Sequence, residues 1–356
     1  FMRIGIADKR FKKSVLNKNV KALSPQTWEA INAQIVGYAD DEKIEKGREV
    51  RIDCTVVETN IHEPTDSSLL WDSVRVLTRW LHRAKEDFGL RVSFQDHSRR
   101  AKRRLLGIMN SRSKKDRKSK YADLIKVTTK SIGYAQRAIE AIDNVASISP
   151  GMVALRLDLN RYSQLAARVI DQTQRRVMLG EDVPASEKVV SLFETHTDII
   201  VKDRRDTFFG HKVCLTGGVS NLIVDCLIVD GNPADSNLTI EMLDRQKELY
   251  GRYPLKVALD GGFASKDNLI KAKEKQIKDV CFAKKRGLEV DDMCRSQWVY
   301  NRLRRFRAGI ESGVSWIKRC FGMTRCTWKG LRSFKSYVWA SIVSANLLTL
   351  ARKQLA

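Results

Sequence analysis

Three carboxylates of this 356-residue chain stand out by their positions. Asp53 lies within REVRIDCTVVET, whose alternating apolar and polar residues indicate a strand, and a charged side chain there is unusual unless it faces a site. Asp260 ends the apolar run LKVAL, at the kind of strand end where α/β proteins bind ligands, although Asp-Gly is also common in plain turns. Glu311 is the only acid in the basic stretch RRFRAGIESGVSWIKR.

That basic stretch is predicted to be a helix with two distinct faces. At about 100° per residue, one face carries Glu311 together with Arg304, Arg307 and Lys318. The neighbouring face is apolar and can pack on a sheet; it comprises Phe306, Ile310, Val314 and Ile317. An ordinary ion pair between Arg307 and Glu311, worth about 0.3 kcal/mol when exposed, is the simpler explanation of their spacing.

The charge of the chain indicates what the three acids could act on. Lys and Arg number 65 against 42 Asp and Glu, a formal charge of +23, which points to nucleic acid first and acidic membrane surfaces second. Mg²⁺ prefers carboxylate oxygens, and two such ions can clamp the attacking and leaving oxygens of a phosphodiester. We therefore expect basic residues to hold DNA and the acids to hold metal. Gly309 and Gly313 each weaken a helix by about 1 kcal/mol, so we expect DNA or a strand to approach there.

The elements that must position these acids form a mixed α/β pattern. After a helix over 24–38 and the first strand, the texture from 71 to 192 is helical, and strands then return as a hairpin (FFGHKVCLTGG and NLIVDCLIVDG) followed by alternating helices and strands. This predicts a five-stranded sheet flanked by helices, with a large all-helical insertion between strands 1 and 2.

The same pattern predicts the domain boundaries. The sheet domain comprises 49–70 and 193–356, the basic helical insertion 71–192, and a helical and linker region 1–48, whose irregular start is consistent with missing upstream residues. The seven cysteines form no CxxC pair, and there is no signal peptide or membrane-spanning segment, which together predict a cytoplasmic protein without a membrane partner.

The insertion has a strongly basic centre. His97 to Lys120 holds eleven Lys or Arg and one Asp. It is either a solvated or disordered charge run or an arm that binds the DNA backbone by releasing counterions from phosphates, and we favour the arm. The candidate DNA-binding residues are Arg99, Arg100, Lys102, Arg103, Arg104, Lys114 and Lys115.

At these residues the chain resembles the DDE transposases of bacterial insertion sequences, particularly those outside the main classified groups. The late signature of that family is Tyr, two residues, Arg, three residues, Glu, six residues, Lys. Arg307, Glu311 and Lys318 match its last three positions, whereas Arg304 occupies the Tyr position. Asp53 and Asp260 match the two aspartates.

The resemblance implies a ribonuclease H-like core that cuts transposon ends and joins them to target DNA. It implies that Asp53, Asp260 and Glu311 bind Mg²⁺ or Mn²⁺, that Arg304, Arg307 and Lys318 contact DNA, and that the active form is a homo-oligomer on DNA, associated with the bacterial nucleoid. Two alternatives remain open: a catalytically silent DNA-binding protein derived from a transposase, and a nuclease that only hydrolyses DNA.

Overall fold

The structure, a computed structural model, describes residues 12–202 and 206–355, so part of the predicted N-terminal region, 1–11, lies outside the described residues. Described residues within Phe1–Asn60 and Asp198–Ala356 form one compact unit, and Ile61–Thr197 form a second. The predicted insertion lies inside the second unit. The described N-terminal helices share the first unit with the sheet.

The first unit is built on a mixed sheet. Its strands are β1 (Glu49–Glu58), β2 (Asp198–Lys202), β3 (Asp206–Gly218), β4 (Ile223–Ile228), β5 (Lys256–Leu259) and β6 (Asp279–Phe282). The order is β2-β3-β1-β5-β6, with β4 also paired to β3. The pairings of β3 with its neighbours are antiparallel, while β1, β5 and β6 run parallel. The mixed α/β class is therefore confirmed.

The predicted number of five strands was wrong, because the sheet formed by the described residues has six. The missed strand is β2, which pairs only with the first part of β3. Its sequence, DIIVK, buries Ile200 but leaves Val201 54% exposed, so it lacks the apolar pattern of a core strand. This edge strand is defined by backbone hydrogen bonds with β3, the next strand along the chain, and its side-chain pattern does not contain them.

Helices cover both units. Those of the sheet unit are α1 (Lys13–Ala22), α2 (Pro25–Asp41), α7 (Thr239–Tyr250), α8 (Lys266–Glu274), α9 (Val290–Met293), α10 (Gln297–Cys320) and α11 (Leu331–Leu355). Those of the helical unit are α3 (Asp66–Glu86), α4 (Ser98–Met109), α5 (Lys114–Asp143) and α6 (Pro150–Thr173). Within the described residues, no helix is both long and apolar enough to cross a membrane.

The helix α10 places the basic stretch against the sheet. It begins after Ser296, whose side chain accepts a hydrogen bond from Val299 N and so caps the first turn. Leu303, Ile310 and Ile317 are buried along one stripe. The contacts of α10 with β1, β5 and β6 confirm that the apolar face packs on the sheet and leave the charged face towards the strand ends.

Candidate active site

The sheet register brings Asp53 and Asp260 together. In the parallel pair β1/β5, Ile52 is the partner of Leu259, so the two aspartates follow paired residues on neighbouring strands. The carboxylate of Asp53 accepts a hydrogen bond from Cys54 N at 2.8 Å, which fixes one of its oxygens. Asp260 extends past the end of its strand, where the chain turns into Gly261. Two strands thus deliver carboxylates to one edge of the sheet.

Arg307 of α10 links these aspartates to Glu311. Its guanidinium lies 3.1 Å from Asp260 Oδ1 and 3.6 Å from Asp53 Oδ2, both measured from Nη1. Its Nη2 donates to Glu311 Oε1 at 2.6 Å. The arginine side chain is only 15% exposed, whereas Glu311 is 60% exposed. One cation therefore contacts three carboxylates from three elements, which is more than the i,i+4 pair that spacing alone suggests.

The donor chemistry of this cluster suits a hard divalent cation. Asp53, Asp260 and Glu311 offer only carboxylate oxygens, the ligands that Mg²⁺ and Mn²⁺ prefer. Their present arrangement is centred on the guanidinium, and no group of three His, Cys, Asp or Glu side chains among the described residues is arranged as a metal-binding set. The ligand types fit a metal, and the position between them is held by Arg307.

A cleft of about 540 Å³ opens at these carboxylates. Besides the three acids and Arg307, it is lined by Cys54, Thr55, Val314, Ser315, Lys318, Arg319 and Thr324. Lys318 therefore lines the cleft, whereas the exposed Arg304 is not among the residues that line it. Ser315 was missed, although it lies four residues after Glu311 on the same helical face. Arg319 and Thr324 were missed too.

Thr324 enters the cleft through a contact that has no signal in the sequence. The chain after α10 returns to the end of β1, where Glu58 N donates to Thr324 O at 3.0 Å and Cys326 N donates to Glu58 O at 2.8 Å. This short parallel bridge makes the segment a wall of the cleft.

Cys54, which also lines the cleft, stays a neutral thiol at neutral pH. A hydrogen bond with the Cys214 thiol, followed by burial, raises the pKa of Cys54.

Arg51 holds α10 in register with β1. Its Nη1 donates to Phe306 O at 3.0 Å, its Nη2 donates to Asn221 Oδ1 at 2.6 Å, and its guanidinium stacks on the Phe306 ring at 4.8 Å. A Cβ built on Gly309 would lie 2.2 Å from Arg51 Nη1, so only glycine leaves room for this contact. The neighbour of Gly309 is thus the side chain of a residue on β1. Nothing lies within 4 Å of a Cβ at Gly313.

Burial is the main influence on the ionisation of Arg51. The residue is only 6% exposed, and desolvation lowers the pKa of its guanidinium, while nearby Glu45 partly offsets this effect. Because Arg51 and Asp53 occupy alternate positions on the same strand, their side chains point to the same face of the sheet. The buried guanidinium therefore fixes Arg307 and Glu311 relative to Asp53.

The basic centre of the helical unit is ordered as α4 and the start of α5. Arg100 and Arg104 both bind the Asp123 carboxylate. The side chain of Arg104 is 41% exposed and that of Asp123 is 20% exposed. Hydrogen bonds and charge from these arginines, led by the Arg100 bond, lower the pKa of Asp123, although its partial burial acts the other way. The other candidate DNA-binding residues of this unit are exposed: Arg99, Lys102, Arg103, Lys114 and Lys115. The basic run is therefore helical, with most of its cations in solvent.

Comparison with known proteins supports the same family. Residues 195–347 match the family described as Transposase DDE domain. This segment contains Asp260, Arg307, Glu311 and Lys318, and Asp53 precedes it. The resemblance to insertion-sequence DDE transposases is thereby confirmed. No curated protein and no solved structure matches the chain.

Proposed function

We propose that the protein is a DNA transposase with a ribonuclease H-like catalytic domain, which cleaves DNA at transposon ends and transfers the freed strand into target DNA. The observation that carries the proposal is the convergence of Asp53, Asp260 and Glu311 on one cleft, and Asp260 and Glu311 lie in the segment that matches a transposase DDE domain. The antiparallel start and parallel continuation of the sheet, with α10 packed across β1, agree with that domain type.

Asp53, Asp260 and Glu311 are proposed as the ligands of Mg²⁺ or Mn²⁺, which when bound would activate the attacking oxygen and stabilise charge on the phosphate. Arg307 then exchanges its carboxylate partners for phosphate oxygens, to which a guanidinium can donate two parallel hydrogen bonds. Lys318, further along the same face of α10, adds a cation beside the same phosphate chain.

The helical unit is proposed to bind the DNA backbone through α4. Arg99 and Arg103 are exposed and form no ion pair with any described residue, whereas Arg100 and Arg104 share Asp123. Replacing the first two by Gln should therefore lower the salt dependence of DNA binding by about 2 in log-log slope, and replacing the second two should change it less. Equal effects of the two double variants would contradict this assignment.

The decisive experiment uses the DNA that flanks the gene as substrate. The protein should nick and join this DNA only when Mg²⁺ or Mn²⁺ is present, and the products should be mapped to the nucleotide. Asp260→Asn should abolish both products and leave DNA binding intact. The matched control is Asp267→Asn, which removes the charge of an exposed aspartate that pairs with Lys271 on α8.

The products separate the competing outcomes. Joined strands support a transposase, whereas hydrolysis without joining would identify a nuclease. Salt-sensitive binding with no metal-dependent product would refute catalysis. Strand transfer by the Asp260→Asn variant at the wild-type rate would show that the proposed acid cluster is not the active site. A homo-oligomer on paired DNA ends is part of the proposal and can be measured by light scattering of the DNA complex.

A further inference from the structure

A cluster of exposed cations follows β6. It comprises Lys284, Lys285 and Arg286, and we call it the basic turn. Ala283 N donates to Leu259 O at 2.9 Å, so the chain that leaves β6 runs beside the end of β5. A Cβ built on Gly261 would lie 2.7 Å from Lys284 Cβ. The basic turn therefore begins next to Asp260, at the edge of the sheet where the carboxylates converge.

The backbone of the basic turn has an unusual residue for its conformation. Leu288 N donates to Lys285 O at 3.0 Å, and the two residues between them, Arg286 and Gly287, have φ values of 48° and 84°. Positive φ at both central positions is typical of a type I′ turn, in which Asn or Gly is usual at the first of them. Arg286 occupies the first position although arginine disfavours positive φ, and non-glycine residues with positive φ are concentrated at functional positions.

The charges of the basic turn are available to a ligand. Within residues 12–202 and 206–355, none of its three side chains forms an ion pair, whereas nearby Lys271 and Lys275 pair with Asp267 and Asp244. On the other side of the carboxylates, Lys318 and Arg319 line the cleft. Cations thus lie both next to Asp260 and along α10 beyond Glu311, as a phosphate chain that contacts both elements would require.

We propose that the basic turn is a second phosphate-binding site, which holds the DNA backbone on the Asp260 side of the cleavage point. Lys318 and Arg319 hold the backbone on the Glu311 side. The ligand is DNA, recognised through its phosphodiester groups and without regard to sequence. This inference rests on the proposed function, because it takes DNA as the substrate of the cleft.

The salt dependence of DNA binding tests the inference without metal or catalysis. One variant combines Lys284→Gln, Lys285→Gln and Arg286→Asn, since Asn tolerates positive φ. The matched control combines Lys43→Asn, Lys46→Gln and Arg48→Gln, three exposed cations before β1, of which Lys43 also has a positive φ of 58°. Affinity for DNA carrying the element's ends is measured by fluorescence anisotropy between about 50 and 300 mM salt. Over this range the Debye length shortens and the screening of surface charges increases.

The slope of log affinity against log salt should fall by about 2 to 3 for the basic-turn variant and by less than about 1 for the control. Equal changes in the two variants would overturn the inference, even if the wild-type protein cleaves DNA. A selective change would support the inference even if no cleavage is seen, in which case only the proposed reaction fails.

The single variant Arg286→Gly separates the loss of a charge from any loss of folding. Glycine adopts positive φ freely, so this change should raise the thermal midpoint of the protein while it lowers the salt slope by about 1. A turn with a purely structural role would show the rise in midpoint with no change in slope. That result would also overturn the inference.

Discussion

Replacing Arg307 by Gln should strengthen metal binding to the DNA-free protein while it weakens DNA cleavage. The guanidinium holds the three carboxylates to which a metal would bind, so a metal must compete with it. The contact with the exposed Glu311 is worth about 0.3 to 0.5 kcal/mol. The contacts with Asp260, 39% exposed, and Asp53, 21% exposed, contribute about 1 kcal/mol each at most. The sum, about 2 kcal/mol, corresponds to about 30-fold in affinity.

The assay is a calorimetric titration with Mn²⁺ in the absence of DNA. Arg307→Gln should bind Mn²⁺ about 30-fold more tightly than the wild type, as worked out above from the ion pairs. The control Arg305→Gln removes an exposed cation of the same helix that has no carboxylate partner among the described residues, and it should leave the affinity unchanged. DNA should raise the affinity of the wild type for Mn²⁺ by drawing Arg307 to phosphate, and Mn²⁺ should raise the affinity for DNA by the same factor. An Arg307→Gln protein that binds Mn²⁺ no better than wild type would refute the competition.

Two further predictions concern stability. Gly309→Ala should lower the free energy of unfolding by about 1 to 3 kcal/mol, because the new Cβ displaces Arg51 from its buried hydrogen bonds. Gly313→Ala should leave the free energy of unfolding unchanged or raise it by up to about 1 kcal/mol. Chemical denaturation of both variants checks this, and equal shifts would contradict it. Burial, followed by the charge of Lys130, lowers the pKa of His97 in the folded state, so the unfolded chain binds the proton more readily. The contribution of His97 to stability is therefore present above the unfolded pKa of about 6.5 and is lost as the pH falls from there through the lower folded pKa. Thermal midpoints between pH 7.5 and 5.5 should therefore fall less in His97→Gln than in the wild type, and parallel curves would exclude this role.

Much of the sheet unit follows from local sequence patterns. The alternation around Asp53 and the apolar run before Asp260 predicted two strands, and the parallel register of β1 and β5 places their acids side by side. Helical periodicity predicted the face that Glu311 shares with Arg307. Each of these patterns is a repeat of two or 3.6 residues that a buried face imposes on the chain, so it is visible without any knowledge of the partner.

The remaining features depend on which elements meet. An ion pair between Arg307 and Glu311 is a local prediction, but the contacts of Arg307 with two aspartates need the packing of α10 across β1 and β5. The same holds for Gly309, whose role became clear only when Arg51 was placed against it. The cleft residue Thr324 is likewise placed by backbone hydrogen bonds between Glu58 and a segment distant in sequence.

The position of Arg307 resolves an electrostatic difficulty in the cluster. Three carboxylates that converge on one cleft repel one another, and the free energy of that repulsion rises as solvent is excluded. In the protein without metal or DNA, a cation of the chain must therefore offset this repulsion, and Arg307 does so. Arginine is suited to it, because its fork of donors can bind carboxylates from several directions and can later bind phosphate with the same geometry. The residue that stabilises the DNA-free cluster is for that reason also the residue best placed to receive the phosphate, so that release of the carboxylates and binding of DNA become one exchange.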